Sequence, residues 1–190
     1  PPNHSSAASD VYKRQHLKSD LQYYKSFMEW GMDGEANAFL EEVLLWLSEN
    51  LPLNPNPKKL CWGDSRLGNV LFENFQVKSL LDWEMATIGD PLCDLAWGLT
   101  TDDVSSHGLN IEKLPGSIAN EEAIKFWEKN TGYSAENFFY YRILCLFKFS
   151  VIMIRVAKKL IHNEIMPLDS DFHVNNHVSN YLRQEFNEKN

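Results

Sequence analysis

Three polar residues carry the chemistry that can be read from this sequence. Asp64 and Asn69 lie in LCWGDSRLGNVLF, and Asp82 opens DWEMATIGDPLCDLAW further along. Each sits at the edge of an apolar segment, so a loop returning into a strand pair can bring all three together. Phosphoryl transfer asks for such a set. One carboxylate orients the attacking hydroxyl and can accept its proton, while a second carboxylate and an amide oxygen hold Mg2+ against phosphate. Oxygen ligands suit a hard cation, and neither His nor Cys is required.

The wider pattern narrows the reading. WGDSRLGN, LLDWEMATIGDP and DPLCDLA follow one another between Leu60 and Trp97. Together they resemble the aminoglycoside phosphotransferase and choline kinase family, whose pattern is His-Gly-Asp-x-x-x-x-Asn, then Ile/Leu-Asp-Trp-Glu, then Gly-Asp-Pro-x-x-Asp-Leu-Ala. The nearest likeness is to the branch associated with acyl-CoA dehydrogenases. The resemblance implies a mainly α chain with a small β-hairpin, the C-terminal lobe of a protein-kinase-like fold whose N-terminal nucleotide-binding lobe is absent from this sequence. It also implies ATP as phosphoryl donor, Mg2+ as cofactor and a small-molecule hydroxyl as acceptor, a hydroxyacyl compound before an aminoglycoside. Fusion to, or association with, an acyl-CoA dehydrogenase goes with it.

Carried over position by position, the resemblance makes Asp64 the catalytic base and Asn69 and Asp82 the Mg2+ and nucleotide-phosphate ligands. Asp94 matches the helix Asp that steadies the catalytic loop through backbone amides, and Asp90 reads as a helix cap. Trp62 stands where the family usually has His and supports the loop. Arg66 is either a phosphate or substrate contact or a solvated loop residue. Glu84 either approaches the metal or points outward. Trp83 and Trp97 read as core aromatics. Two other function classes stay open: a non-catalytic, pseudokinase-like binding module, and a hydrolase whose carboxylates hold a metal and activate water.

The elements that must position these residues follow from periodicity and turn chemistry. Ala36, Phe39, Leu40, Val43, Leu44 and Leu47 predict an amphipathic helix from about Glu35 to Asn50, ended by the proline-rich PLNPNP. Val70–Phe72 and Val77–Leu81 predict a hairpin. Asp90-Pro91 is a helix start, with Leu92, Leu95, Ala96 and Leu99 on one face. A loop is expected from Thr100 to Ala119. A helix from Asn120 should stop near Gly132, and a long apolar helix capped by Ser134 should reach about Asn163. A last amphipathic helix uses Phe172, Val178, Tyr181, Leu182 and Phe186. His173 and His177, four apart, read as solvent-facing rather than as a metal pair.

Composition removes other classes. The 190 residues are 44% hydrophobic, enough for a core, and 26 acidic against 18 basic residues give a net charge of −8. An acidic chain is a poor match for a nucleic-acid surface. Phe138–Val156 is apolar but interrupted by Arg142, Lys148 and Arg155, which argues for a buried helix and against a membrane span. Three cysteines without a CxxC pair fit a reducing cytoplasm. Ser5–Gln15, SSAASDVYKRQ, matches letter for letter the in-frame translation of a transposase adapter from shotgun sequencing libraries. Residues 1–15 are therefore expected to be an adapter-derived or disordered tail, and residues 16–190 the phosphotransferase lobe, a truncated and by itself inactive fragment of a longer enzyme.

Overall fold

The computed structural model describes residues 5–188, with side chains from residue 16 onward. In chain order the elements are α1 (Ser5–Met32), α2 (Ala38–Glu49), β1 (Lys59–Cys61), β2 (Val70–Glu73), β3 (Gln76–Leu80), β4 (Thr87–Gly89), α3 (Leu92–Ser106), α4 (Asn120–Thr131), α5 (Phe138–His162) and α6 (His177–Asn187). Short 3-10 turns occupy Leu67–Asn69 and His107–Leu109. Residues 5–15 lie in α1, and residues 1–4 of the expected tail fall outside the described residues. No helix among the described residues is long and apolar enough to cross a membrane.

The chain divides into two compact units. The first contains Pro52–Arg142 and holds both strand pairs, α3 and α4. β1 and β4 pair antiparallel, Lys59 opposite Gly89 and Cys61 opposite Thr87. The expected hairpin, β2 with β3, is inserted between them in sequence, with Val70 opposite Leu80 and Glu73 opposite Gln76. Asn74 and Phe75 both take positive φ, 51° and 61°. Two left-handed residues in a two-residue loop match the right-handed twist of the flanking strands.

Helix α3 begins as expected. The Asp90 carboxylate accepts the free Leu92 amide at 2.9 Å. The helix then continues through Ser106 where a loop was predicted. Thr101 and Ser106 donate their hydroxyls back to the Trp97 and Asp102 carbonyls, at 2.8 and 2.7 Å, which satisfies polar groups that otherwise favour turns. α4 ends at Gly132 with φ 73°, the left-handed stop its sequence called for. Ser134 caps a turn through the Glu136 amide, and α5 starts later, at Phe138.

The second unit contains Arg14–Leu51 and Ile143–Asn190. Leu21, Tyr24, Met28 and Met32 line the buried side of α1, and Leu40, Val43 and Leu47 that of α2. Ile143, Leu146, Phe147, Val151 and Ile154 fill the core from α5. Lys148 reaches Asp20 at 3.2 Å and lies over the Tyr24 ring. α2 starts at Ala38 under an Asn37 cap, later than Glu35. Asn176 caps α6 through the Val178 and Ser179 amides, so Phe172 and His173 lie before the helix rather than on it.

Candidate active site

The loop from Trp62 to Asn69 is held by α3. The Asp94 carboxylate accepts the backbone amides of Trp62 at 2.7 Å and Gly63 at 2.9 Å. Ser65 returns the contact, its hydroxyl donating to the Asp94 carbonyl at 2.6 Å. A Cβ on Gly98 would stand 2.7 Å from the Ser65 carbonyl, so the missing side chain is what lets loop and helix come this close. Gly63 takes φ +92°, and a Cβ there would fall 2.2 Å from the Met85 carbonyl. Two separate constraints, conformation and space, leave glycine as the residue that fits.

On this platform Asp64 receives three donors. Trp97 Nε1 donates to Oδ1 at 2.7 Å, Asn69 Nδ2 to Oδ2 at 2.7 Å and Arg66 Nε to Oδ2 at 3.0 Å. Asn69 Nδ2 also reaches the Asp64 carbonyl at 3.1 Å. The amide nitrogen is thus committed to Asp64, and Asn69 Oδ1 is left without a donor among the described residues. Arg66 is half exposed and pairs with Asp64.

Asp82 joins through the backbone. The Leu81 amide donates to the Asn69 carbonyl at 2.8 Å. The Trp62 indole donates to the Leu81 carbonyl at 2.7 Å. Trp62 therefore ties the loop to α3 through its amide and to the residue before Asp82 through its ring. Asp82 itself takes φ 57°, unusual for a residue with a side chain. Its exposed carboxylate has no hydrogen-bond or ion-pair partner among the described residues. The loop brings Asp64 and Asn69 into contact, and the Leu81–Asn69 backbone bond ties the residue before Asp82 to the same loop. Glu84 is exposed in the turn after Trp83 and contacts none of them among the described residues.

Asp90 is the helix cap its sequence suggested, and more. Besides Leu92 it accepts the Asn56 amide at 2.8 Å, Asn56 Nδ2 at 3.0 Å and the Tyr141 hydroxyl at 3.0 Å. Burial pushes the Tyr141 phenol far above its ordinary range, with Cys93 and Asp90 adding to it, so this group donates at any working pH. The three cysteines are free thiols.

Oxygen atoms left unpaired suit a hard cation. Asn69 Oδ1 and the Asp82 carboxylate are such atoms, and Mg2+ commonly takes one or two protein carboxylates and completes its shell with phosphate and water. Among the described residues no group of three or more His, Cys, Asp or Glu gathers to form an all-protein metal cage.

Sequence reasoning missed Trp97. It was expected in the core, and it is nearly buried, but its polar edge points at Asp64. The signal was available in the spacing: Trp97 lies three residues after Asp94, on the same helix face.

Residues 4–124 match the model of the phosphotransferase enzyme family. The chain is 33% identical over 124 residues to acyl-CoA dehydrogenase family member 11 of Pongo abelii, spanning 60% of this chain and 16% of that protein. The Gallus gallus protein of the same name is 33% identical over 138 residues, 65% of this chain and 18% of its own length. The human one is 46% identical over 59 residues. This chain thus spans less than a fifth of those relatives. A candidate aminoglycoside phosphotransferase from Ralstonia eutropha JMP134 superposes with a TM-score of 0.66, over 88% of this chain and 52% of that one, at 17% identity. At that identity the likeness is one of fold: mainly helical, with small antiparallel sheets.

Proposed function

We propose a function from one premise: this chain belongs to the phosphotransferase enzyme family. It is read as the C-terminal lobe of a kinase-like enzyme that transfers the γ-phosphoryl of ATP to a hydroxyl of a small molecule. The observation that carries the reading is the division of labour in Asn69. Its nitrogen holds the Asp64 carboxylate and its oxygen is left without a donor among the described residues, while its carbonyl accepts the amide of Leu81, the residue before Asp82.

In this reading Asp64 orients the acceptor hydroxyl and takes its proton. Asn69 Oδ1 and Asp82 hold Mg2+, which when bound would neutralise charge on the transferring phosphates. Arg66, half exposed, is the candidate phosphate or substrate contact. Trp62, Asp94 and Asp90 support the loop and the start of α3. Glu84 has no role in this arrangement.

The acceptor is read as an apolar alcohol of the hydroxyacyl kind. A cavity of about 520 Å3 lies against the loop and α3, lined by Leu67, Val70, Leu95, Leu99 and Ile118 together with Arg66; Asp64 does not line it, and Arg66, which pairs with Asp64, links the two. Its two carboxylates are committed, Asp94 to backbone amides and Asp102 to Lys113 at 2.7 Å. A polycationic aminosugar would find no free anion there. The names of the relatives support an association with an acyl-CoA dehydrogenase, and three free thiols suit a reducing cytoplasm.

The test uses the protein that carries this chain, with Mg-ATP and panels of hydroxyacyl thioesters and aminoglycosides. Asp64→Asn should lower acceptor-dependent ADP formation by roughly 10²–10⁴-fold with unchanged circular dichroism. Near-normal transfer by that variant would sink the assignment of Asp64. Preference for the aminoglycosides would overturn the acceptor class.

A further inference from the structure

We propose that Trp97 is a positioning residue for Asp64: its indole N–H fixes the plane of the carboxylate and so sets the orientation of Asn69. The inference rests on the phosphotransferase reading above for its meaning, and on geometry for its content. A carboxylate turns readily about its last torsion, whose preferences are broad. One donor on one oxygen leaves much of that freedom. Here the two oxygens are held from different elements, Oδ1 by Trp97 on α3 at 2.7 Å, and Oδ2 from the loop by Asn69 at 2.7 Å and Arg66 at 3.0 Å, so Trp97 is the donor to Oδ1. Together they define the plane.

The indole suits the task. It has a single donor, no charge and few rotatable bonds, and Trp97 is only 5% exposed, so its ring is held by packing. It adds no second cation to a carboxylate that Arg66 already pairs at 3.0 Å. Asp94 lies one helical turn earlier on α3 and holds the loop backbone at Trp62 and Gly63. One helix face thus sets both the backbone of the loop and the side chain it presents. Asn69 depends on the result. Its Nδ2 bonds Asp64 Oδ2 at 2.7 Å and the Asp64 carbonyl at 3.1 Å, and the two bonds together turn its Oδ1 away from Asp64. Rotation of the Asp64 carboxylate would remove the shorter of the two bonds that hold the amide, leaving the Asp64 carbonyl at 3.1 Å as its remaining acceptor.

A packing role alone would leave Asn69 indifferent to the indole nitrogen. The experiment is amide-proton exchange on the 15N-labelled 190-residue chain, read at the Asn69 side-chain NH2 and the Trp97 indole. Trp97→Phe keeps an aromatic ring and removes the donor. It should speed exchange of the Asn69 side-chain protons about tenfold, the scale of one hydrogen bond to a charged group. Unchanged Asn69 exchange in the folded variant overturns the proposal. If Trp97→Phe does not fold, judged by circular dichroism, the reciprocal measurement decides. Asp64→Ala should speed exchange of the Trp97 indole N–H about tenfold, while Asp64→Asn keeps an oxygen and keeps the protection. Equal indole exchange in wild type and Asp64→Ala overturns it. No arm uses turnover, so a chain that never forms ADP from Mg-ATP would count against the phosphotransferase reading and leave the positioning role of Trp97 intact.

Discussion

Helix α3 carries a carboxylate near each end and holds the two by opposite means. Asp94, in the first turn, accepts only neutral backbone amides. Asp103, almost wholly buried near the last turn, receives Arg142 at 2.6 Å, Lys113 at 2.7 Å and Asn120 at 2.7 Å. The helix dipole explains the contrast. A negative charge is favoured at the N-terminal end and opposed at the C-terminal end. Asp94 therefore needs no cation, whereas Asp103 needs two. The loop-facing end of the helix is organised by hydrogen bonds to neutral donors, and the far end by charge. The lesson is that one helix can serve as a rigid mount for a reactive loop only if its unfavourable end is neutralised elsewhere.

Breaking the charged end should cost most. Arg142→Met leaves Asp103 buried with Lys113 as its remaining cation, and should lower stability by about 3 kcal/mol in urea unfolding. A loss under 1 kcal/mol would mean that Lys113 suffices. The same end has a pH signature. Burial pushes the Asp103 carboxyl up, but the Lys113 and Arg142 contacts outweigh it and hold the group below the usual carboxylate range. A carboxyl depressed on folding contributes stability above its unfolded pKa of about 3.9, and that contribution is lost as pH falls through the lower folded value. The stability gap between wild type and Asp103→Asn should therefore be flat from pH 8 to 5 and shrink below pH 4. A gap that widens in acid would show that the sign is wrong.

The neutral end should cost less. Asp94→Asn turns an NH2 group toward one of two amides that need an acceptor, a loss of about 2 kcal/mol. Exchange should speed at the amide that faces the new NH2, Trp62 or Gly63, while the other keeps its oxygen acceptor. Smallest is Tyr141→Phe, which removes one hydrogen bond from Asp90 and should cost about 1 kcal/mol. A larger loss there would move weight from α3 to the Asn56–Asp90–Tyr141 cluster before it.

The legible parts of the sequence were those with local causes. The hairpin, the Asp90 start of α3 and the Gly132 stop of α4 each depend on residues a few positions apart. The loop motif was legible because its residues are contiguous, and Asp64 and Asn69 do meet. What was not legible had distant causes. The last turns of α3 looked like a loop because Thr100, Thr101, Asp102 and Asp103 are poor helix formers, yet Arg142, on α5, makes Asp103 tolerable there. β1 and β4 are three residues each and lie on either side of the hairpin, too short for periodicity to reveal. The indole of Trp97 reads as hydrophobic in any pattern that scores side chains whole, although its one polar atom faces Asp64.

The positions on α3 that touch the loop are 94, 97 and 98, a single turn of helix. That spacing behaves as a fixed gauge. Substitution at any one of them weakens a contact, but inserting or deleting one residue between them would turn one part of the set against the rest by about 100°, so the three contacts could no longer be made together. In a chain of this ancestry the segment should therefore tolerate exchanges of residue far better than changes of length. A distant relative could be sorted by measuring that interval, even where the letters around it have drifted.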